Sequence, residues 1–402
     1  MKFDTYFTMS EEQAVAYAKS KLNFIFNQEA ELECKEIGDG NLNYIFKIWD
    51  KVSGKSIIVK QSGPVARISD EFTLSPDRNR IEFEILKYEG ELAPGLVPQV
   101  YMYDPIMNCT VMDDLSDHQI MRTALMQFKK FPLFSEHISE FMVNTLLLTT
   151  DVVLEHKQKK ELVKNFINPE LCEISEDLVF TEPFSNNKSR NDVFAPNKEW
   201  VEEHLYHDHQ LRLETAIMKF EFMNHAQSLI HGDLHTGSIF IKEDSTKIID
   251  PEFAFFGPMG YDVGNVIANL MFAWANSDAN GQLDHKLWLE ETIVDVVDKF
   301  LVKFSIAWDQ HVSEYTAKYE GFKEYYISSI LRDTAGVVGL EGIRRIVGLA
   351  HVKDITTIRD EAARVRAERI CMTASKRFIM NRSSFSSGRE FLAVIKEAEN
   401  LF

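Results

Sequence analysis

The chain has 402 residues, with 44 Lys and Arg against 62 Asp and Glu, which leaves a formal charge of −18. At typical domain sizes of roughly 100–200 residues that length suggests two domains or one large two-lobed unit. A composition of 45% hydrophobic and 26% charged residues excludes a mainly disordered or collagen-like chain. The acidic balance repels phosphate backbones and anionic lipid surfaces, so neither a nucleic acid nor a membrane is an expected partner.

In chain order, the opening M-K-F-D-T-Y-F-T-M-S-E-E has no basic stretch followed by an apolar one, so no secretory signal is expected. Cys34, Cys109, Cys172 and Cys371 are too far apart for a C-x-x-C pair and too few for a disulfide scaffold, which fits a reducing cytoplasm. Ser10 precedes E-E-Q-A-V-A-Y-A-K-S-K-L and can cap a helix, with Gln13 at the capping-box position. Two extended runs, Leu32 to Ile37 and Tyr44 to Trp49, flank G-D-G-N-L-N at Gly38 to Asn43 and read as a hairpin. A third run, S-I-I-V-K at Ser56 to Lys60, is followed by R-N-R-I-E-F-E-I-L-K-Y from Arg78, where Ile81, Ile85 and Tyr88 have helical spacing. After A-P-G-L-V-P come V-Y-M-Y-D and T-V-M-D-D-L, the latter ending at Leu115. The lobe boundary is expected there, giving an N-terminal lobe 1–115 and a C-terminal lobe 116–402.

From Asp117 onward helical patterns dominate, including His137 to Leu148 and Trp200 to Ala226, with a polar loop around Ser185 to Asp192. Two short strands, Ser238 to Lys242 and Lys247 to Ile249, interrupt them. The apolar stretch Val266 to Ala275 is too short for a membrane span, which needs about 20 residues, and Asn269 breaks it.

The chemistry concentrates in L-I-H-G-D-L-H-T-G-S-I-F-I from Leu229 and K-I-I-D-P-E-F-A from Lys247. Asp233 lies in a tight segment between a helix and a strand, and Asp250 closes the next strand, so a hairpin could hold both carboxylates beside one cleft. Such a pair suits phosphoryl transfer: one aspartate orients or deprotonates an attacking hydroxyl, and the other holds Mg²⁺ against nucleotide phosphates. Alone, H-G-D reads equally as an ordinary turn and D-P-E as a strand terminator. The two at this spacing, with apolar strands between them, favour the site.

H-G-D-L-H-T-G-S-I at His231 to Ile239, D-P-E-F-A-F-F-G-P at Asp250 to Pro258, G-D-G-N-L-N and I-R-R at Ile343 to Arg345 resemble the protein-kinase-like superfamily of small-molecule kinases. That superfamily includes aminoglycoside phosphotransferases and choline kinases, and the closer resemblance is to the 5-methylthioribose kinase family, in order through nearly the whole chain. The resemblance implies an α+β, two-lobed protein-kinase-like fold: a small N-terminal antiparallel sheet lobe with one helix, and a larger, mainly helical C-terminal lobe. It also implies ATP and Mg²⁺ as cofactors and a homodimer. The implied reaction is transfer of the γ-phosphoryl group to the anomeric hydroxyl of 5-methylthioribose, within methionine salvage.

On this reading Asp233 is the catalytic residue. Protein kinases place an Asn five residues later as a metal ligand; here that position is Ser238, so a further oxygen donor is needed. Glu252 can supply it beside Asp250, because positions i and i+2 of an extended D-x-E share a face around Pro251. Lys60 is either a surface lysine or the partner of Glu82, the ion pair that turns a lysine toward nucleotide phosphates. Glu84 would point about 200° away on the helix. The glycines before Asn43 make either a plain hairpin or a phosphate-approaching loop, and the resemblance places Asn43 among ATP contacts. Asp113, Asp114 and Leu115 are an acidic loop or a hinge that binds adenine through its backbone. Arg344 and Arg345 form a structural ion pair or, by resemblance, contact the sugar and the transferred phosphate. Asp262 is expected to cap a helix and brace the catalytic turn. His204, His207 and His209 read as a solvated face rather than a metal site. The rival functions are a choline- or aminoglycoside-type kinase and a nucleotide-binding pseudoenzyme.

Overall fold

In the computed structural model the described residues are 2–37, 43–63 and 77–402, so all of the glycine turn except Asn43 lies outside them. The chain divides into two compact units, Met1–His118 with Ile249–Phe253, and Gln119–Ile248 with Ala254–Phe402. The short segment 249–253 thus groups with the first unit, which the expected boundary at residue 115 did not anticipate.

The first unit begins with helix α1 (Glu11–Lys21), whose Ser10/Gln13 capping box is formed as expected. Strands β1 (Leu32–Glu36), β2 (Asn43–Asp50) and β3 (Ser56–Ser62) precede helix α2 (Asp77–Leu92), and β4 (Val100–Asp104) and β5 (Cys109–Asp113) follow it. The strands form one antiparallel sheet in the order β1-β2-β3-β5-β4. Because β3 is central, its residues are buried on both faces, and the two-residue period separates their roles. Ile57 and Val59 join Phe46, Ile48 and Val111 in a core with Ala14, Tyr17, Ala18 and Leu22 from the α1 region. Lys60 is displaced to the opposite face, within reach of Glu82 on α2.

The second unit is helical around small sheets. Strands Ile239–Lys242 and Ser245–Ile248 pair as an antiparallel hairpin, and Ser228–Ile230 pairs with Phe255–Gly257. The central helix Gly260–Ala279 is buried from Gly260 to Ser277 and packs on the helices Phe322–Val347 and Glu361–Met380. Close approach needs glycine at several contacts between these helices. A Cβ on Gly264 would stand 2.7 Å from the carbonyl oxygen of Thr334, and one on Gly342 would collide with Ser375 Oγ. The helical pattern Trp200 to Ala226 is not one helix: a π turn at Glu202–Tyr206 ends it, and Asp208 starts a new helix, His209–Asn224, by accepting from Leu211 N at 2.9 Å. An aspartate side chain that can bond to the backbone three residues on favours a fresh N-terminus over continuation. Among the described residues no helix is long and apolar enough to cross a membrane.

Candidate active site

Two groups of residues carry the expected chemistry, one within each unit. In the first, Lys60 Nζ lies 2.8 Å from Glu82 Oε1 and also donates to Asp250 Oδ1. Burial opposes the lysine's charge, but Asp250, Glu82 and Glu252 outweigh it and raise its pKa, so Lys60 is a cation. Burial pushes Glu82 upward while Lys60 pulls it back. Glu84 instead pairs with Arg80 at 2.7 Å on a partly exposed helix face.

The D-x-E segment is not extended, contrary to the expectation. Pro251–Phe253 is a turn of 3₁₀ helix, and Asp250 has φ 62°, a left-handed conformation that a short polar side chain tolerates better than most. Proline, whose ring presets φ and which needs no amide partner, suits the first position of that turn. The two carboxylates are therefore placed by their own partners rather than by strand alternation. Asp250 remains 45% exposed at Lys60, whereas Glu252 is nearly buried, 3.6 Å from Arg78 Nε and hydrogen-bonded by Asn43. Burial raises the pKa of Glu252, opposed by Lys60 and Arg78. Asn43 Oδ1 in turn accepts from Ser62 Oγ at 3.0 Å and Arg78 Nη2 at 3.3 Å.

At the chain segment expected to form the hinge, Asp113 accepts from Tyr101 Oη at 2.5 Å and Gln99 N at 2.9 Å. Asp114 accepts from Ser56 Oγ at 2.6 Å and pairs with Lys47 at 2.8 Å, while the Leu115 carbonyl accepts from His118 N. These acidic side chains are engaged inside the unit.

The second group surrounds Asp233. Gly232 takes φ 81°, and Asp262 accepts from His231 N at 2.7 Å and Gly232 N at 3.0 Å, which pins the turn. Asp262 does brace the turn, but it is the third residue of its helix; Met259 occupies the cap position. Asp233 Oδ1 faces Nη2 of Arg344 and Nη2 of Arg345, both at 3.4 Å. Glu341 stands three and four residues before the arginines on the same helix and holds both, accepting from Arg345 Nε at 2.8 Å and from Arg344 Nε. The other Asp233 oxygen lies 3.5 Å from His235 Nε2. His235 Nδ1 accepts from Gly237 N at 3.1 Å and Ser238 N at 3.0 Å, which assigns the ring proton to Nε2, on the side of Asp233. Ser238 Oγ donates to the Asp233 carbonyl at 3.1 Å, so this hydroxyl stiffens the turn.

Burial opposes ionisation of Asp233, yet His235, Arg345, Arg344 and His231 hold its carboxyl far below the usual range. At neutral pH the arginines carry that effect, because burial lowers His235 to about 3 and leaves it uncharged. Glu341, despite its burial, is held at about 2 by Arg344 and Arg345. Burial lowers the pKa of Arg344, but Glu341, Tyr261 and Asp233 reverse this and raise it.

The sequence reading missed Glu341, although E-G-I-R-R displays the (i, i+3) and (i, i+4) spacing of a helix ion pair. It also gave no role to Arg78, His235 or Arg122, whose Nη2 donates to Asn269 Oδ1 at 2.9 Å and whose Nε lies 3.4 Å from Asp354. Long-range partners such as Asn269 and Asp354 leave no local signature. Leu349, two residues past the end of the helix that carries the arginines, is 48% exposed. His204 stacks on Trp200 with centroids 4.4 Å apart, and among the described residues no group of three or more His, Cys, Asp or Glu could hold a metal.

Residues 169–292 match the phosphotransferase enzyme family APH. A methylthioribose kinase of Geobacillus sp. strain WCH70 is 40% identical over 93% of this chain and 92% of its own. Those of Bacillus pumilus strain SAFR-032 and Geobacillus kaustophilus strain HTA426 are 38% and 39% identical, each over 98% of both chains. Identity of this order, sustained over almost the full length of each relative, shows that the chain belongs to the methylthioribose kinase family.

Proposed function

We propose that the chain is an ATP-dependent kinase that phosphorylates the anomeric hydroxyl of 5-methylthioribose, giving 5-methylthioribose 1-phosphate in methionine salvage. The observation that carries this reading is the arrangement at Asp233: an ionised, part-exposed carboxylate beside two guanidiniums that Glu341 holds in place. A sugar hydroxyl there can donate to Asp233 while neighbouring hydroxyls accept from Arg344 and Arg345. A cationic acceptor such as choline would face the same guanidiniums unfavourably.

Asp233 accepts the proton of the attacking hydroxyl. The new bond forms from that oxygen to the γ-phosphorus, and the bond to the β-γ bridging oxygen breaks with its electron pair leaving on ADP. Its strongly depressed pKa makes Asp233 a weak base, so its main contribution is to orient the hydroxyl, with proton transfer late in a loose transition state. Once Asp233 is protonated, the guanidiniums lose its opposing charge just as the phosphoryl group arrives. Lys60, aimed by Glu82, is the residue for the nucleotide phosphates, with Asn43 and the backbone of Asp113 to Leu115 as further nucleotide contacts.

The donor set of Asp250 and Glu252 fits Mg²⁺, a hard cation that commonly takes one or two carboxylates plus phosphate oxygens and so needs no larger protein cluster. When bound, Mg²⁺ supplies charge neutralisation at the phosphate oxygens. Family likeness also supports a homodimer, which light scattering checks. The deciding experiment offers methylthioribose, ribose, choline and an aminoglycoside with ATP and Mg²⁺ and reads ADP release. Turnover of methylthioribose above the others is expected; nucleotide binding without turnover of any would support the pseudoenzyme instead.

A further inference from the structure

Two adjacent arginines usually recognise an anion, because the Nε and Nη edge of a guanidinium matches carboxylate or phosphate bidentately. Here the Nε of that edge is taken on both. Glu341, 1% exposed, accepts from Nε of Arg344 and Nε of Arg345, and Asn269 Nδ2 steadies it at 3.2 Å. Toward Asp233 each arginine presents its terminal Nη2 in place of the full Nε and Nη edge.

The charges of the surroundings agree. Arg344 and Arg345 are opposed by Asp233 and Glu341, and Arg122 is paired separately with Asp354. Asp233 and Glu341, both held ionised, therefore match Arg344 and Arg345 one for one, and His235 beside them is neutral. An anion entering this acceptor position would lose hydration without meeting surplus positive charge.

We infer that Glu341 sets the charge class of the acceptor: by occupying both Nε atoms and cancelling one positive charge, it makes Arg344 and Arg345 a reader of neutral polyols and rejects phosphorylated or otherwise anionic sugars. The inference rests on the kinase reading above and adds a specificity-determining residue to it. Glu341 acts through the arginines and is a positioning residue.

The test uses Glu341→Gln and Glu341→Asp in the full chain, with inorganic phosphate as the probe. The parent should show sugar kinetics indifferent to phosphate. Glu341→Gln removes the charge and leaves only one acceptor oxygen, so its sugar KM should rise about 10- to 100-fold, the range for a lost hydrogen bond to a charged group. Phosphate should then compete with the sugar and not with ATP, and should raise the variant's melting temperature more than the parent's. Glu341→Asp keeps the charge but is too short to span both Nε atoms, so the sugar KM should rise without phosphate competition. Should Glu341→Gln fail to fold, Glu341→Asp tests the anchoring through its sugar KM, and the parent tests the charge class with ribose and ribose 5-phosphate as competitors of the sugar: competition by ribose 5-phosphate as strong as by ribose overturns the inference. Phosphate competing equally in the parent, or an unchanged sugar KM in the folded variants, overturns the inference. A parent that phosphorylates no neutral sugar overturns the kinase reading instead, so the two failures are distinguishable.

Discussion

Asp233 has two oxygens with different neighbours, two guanidinium donors at Oδ1 and a neutral imidazole N–H side at Oδ2. Asp233→Asn keeps the shape but loses the charge and the proton acceptor, so turnover should fall about 10²- to 10⁴-fold with ATP binding retained. The pH profile gives an independent check. A depressed carboxyl pKa means that the active, ionised form persists as pH falls from 8 to 5, and His235, lowered to about 3, stays neutral over the same range. Neither residue should therefore contribute an acid limb to kcat/KM there, and a limb that disappears in Asp233→Asn would contradict the assignment. In the other unit, Glu252→Gln removes one unit of charge from the proposed Mg²⁺ site and weakens the pairing with Arg78. Nucleotide binding should then need more Mg²⁺, with partial rescue as Mg²⁺ rises; a titration that overlays the parent's would remove Glu252 from the metal site.

Helix Phe322–Val347 delivers Glu341, Arg344 and Arg345 on one turn, and its distance from helix Gly260–Ala279, which carries Asp262, is set by side-chain absence at Gly264. Gly264→Val would press on the backbone oxygen of Thr334 and on Val337, an overpacking that typically costs about 1–3 kcal/mol. A lower melting temperature and a lower kcat together are expected; an unchanged melt would show that the helices can separate freely. Elements like these differ in how far the sequence announces them. The capping box of α1, the β1–β2 pairing and the buried run of β3 follow from local spacing and were legible. So was the choice of Glu82 over Glu84, since 200° on a helix separates a buried face from a wet one. The 3₁₀ turn at Pro251 and the break at Asp208 were not, because each depends on which of two local conformations finds better partners. The Asp233 neighbourhood was half legible: the arginines and the turn were visible as motifs, but their joint anchoring on Glu341 and the tautomer of His235 arise only when distant segments meet.

A net charge of −18 describes the whole chain but neither of its chemical groups. Lys60 and Arg78 are buried cations in the first unit, and Arg122, Arg344 and Arg345 concentrate positive charge in the second, each matched locally by carboxylates. Each ion-pair network draws its members from a single unit, with Lys60, Glu82, Asp250 and Glu252 in one and Asp233, Glu341, Arg344 and Arg345 in the other. That membership predicts a crossed pattern of effects. Arg344→Ala removes the charged donor proposed for the sugar and should raise the sugar KM roughly 10- to 150-fold, the equivalent of about 1.5–3 kcal/mol, while ATP affinity measured without sugar stays near the parent value. Glu82→Gln leaves Lys60 without its charged anchor on α2 and should weaken ATP binding while the sugar KM at saturating ATP changes little. Calorimetry for ATP and steady-state kinetics for the sugar separate the two, and thermal melting guards against a fold defect, since breaking a buried ion pair can itself cost several kcal/mol. If Arg344→Ala weakened ATP and spared the sugar, the arginine would belong to the phosphate side, and the argument for a neutral polyol held by Arg344, Arg345 and Asp233 would fall with it.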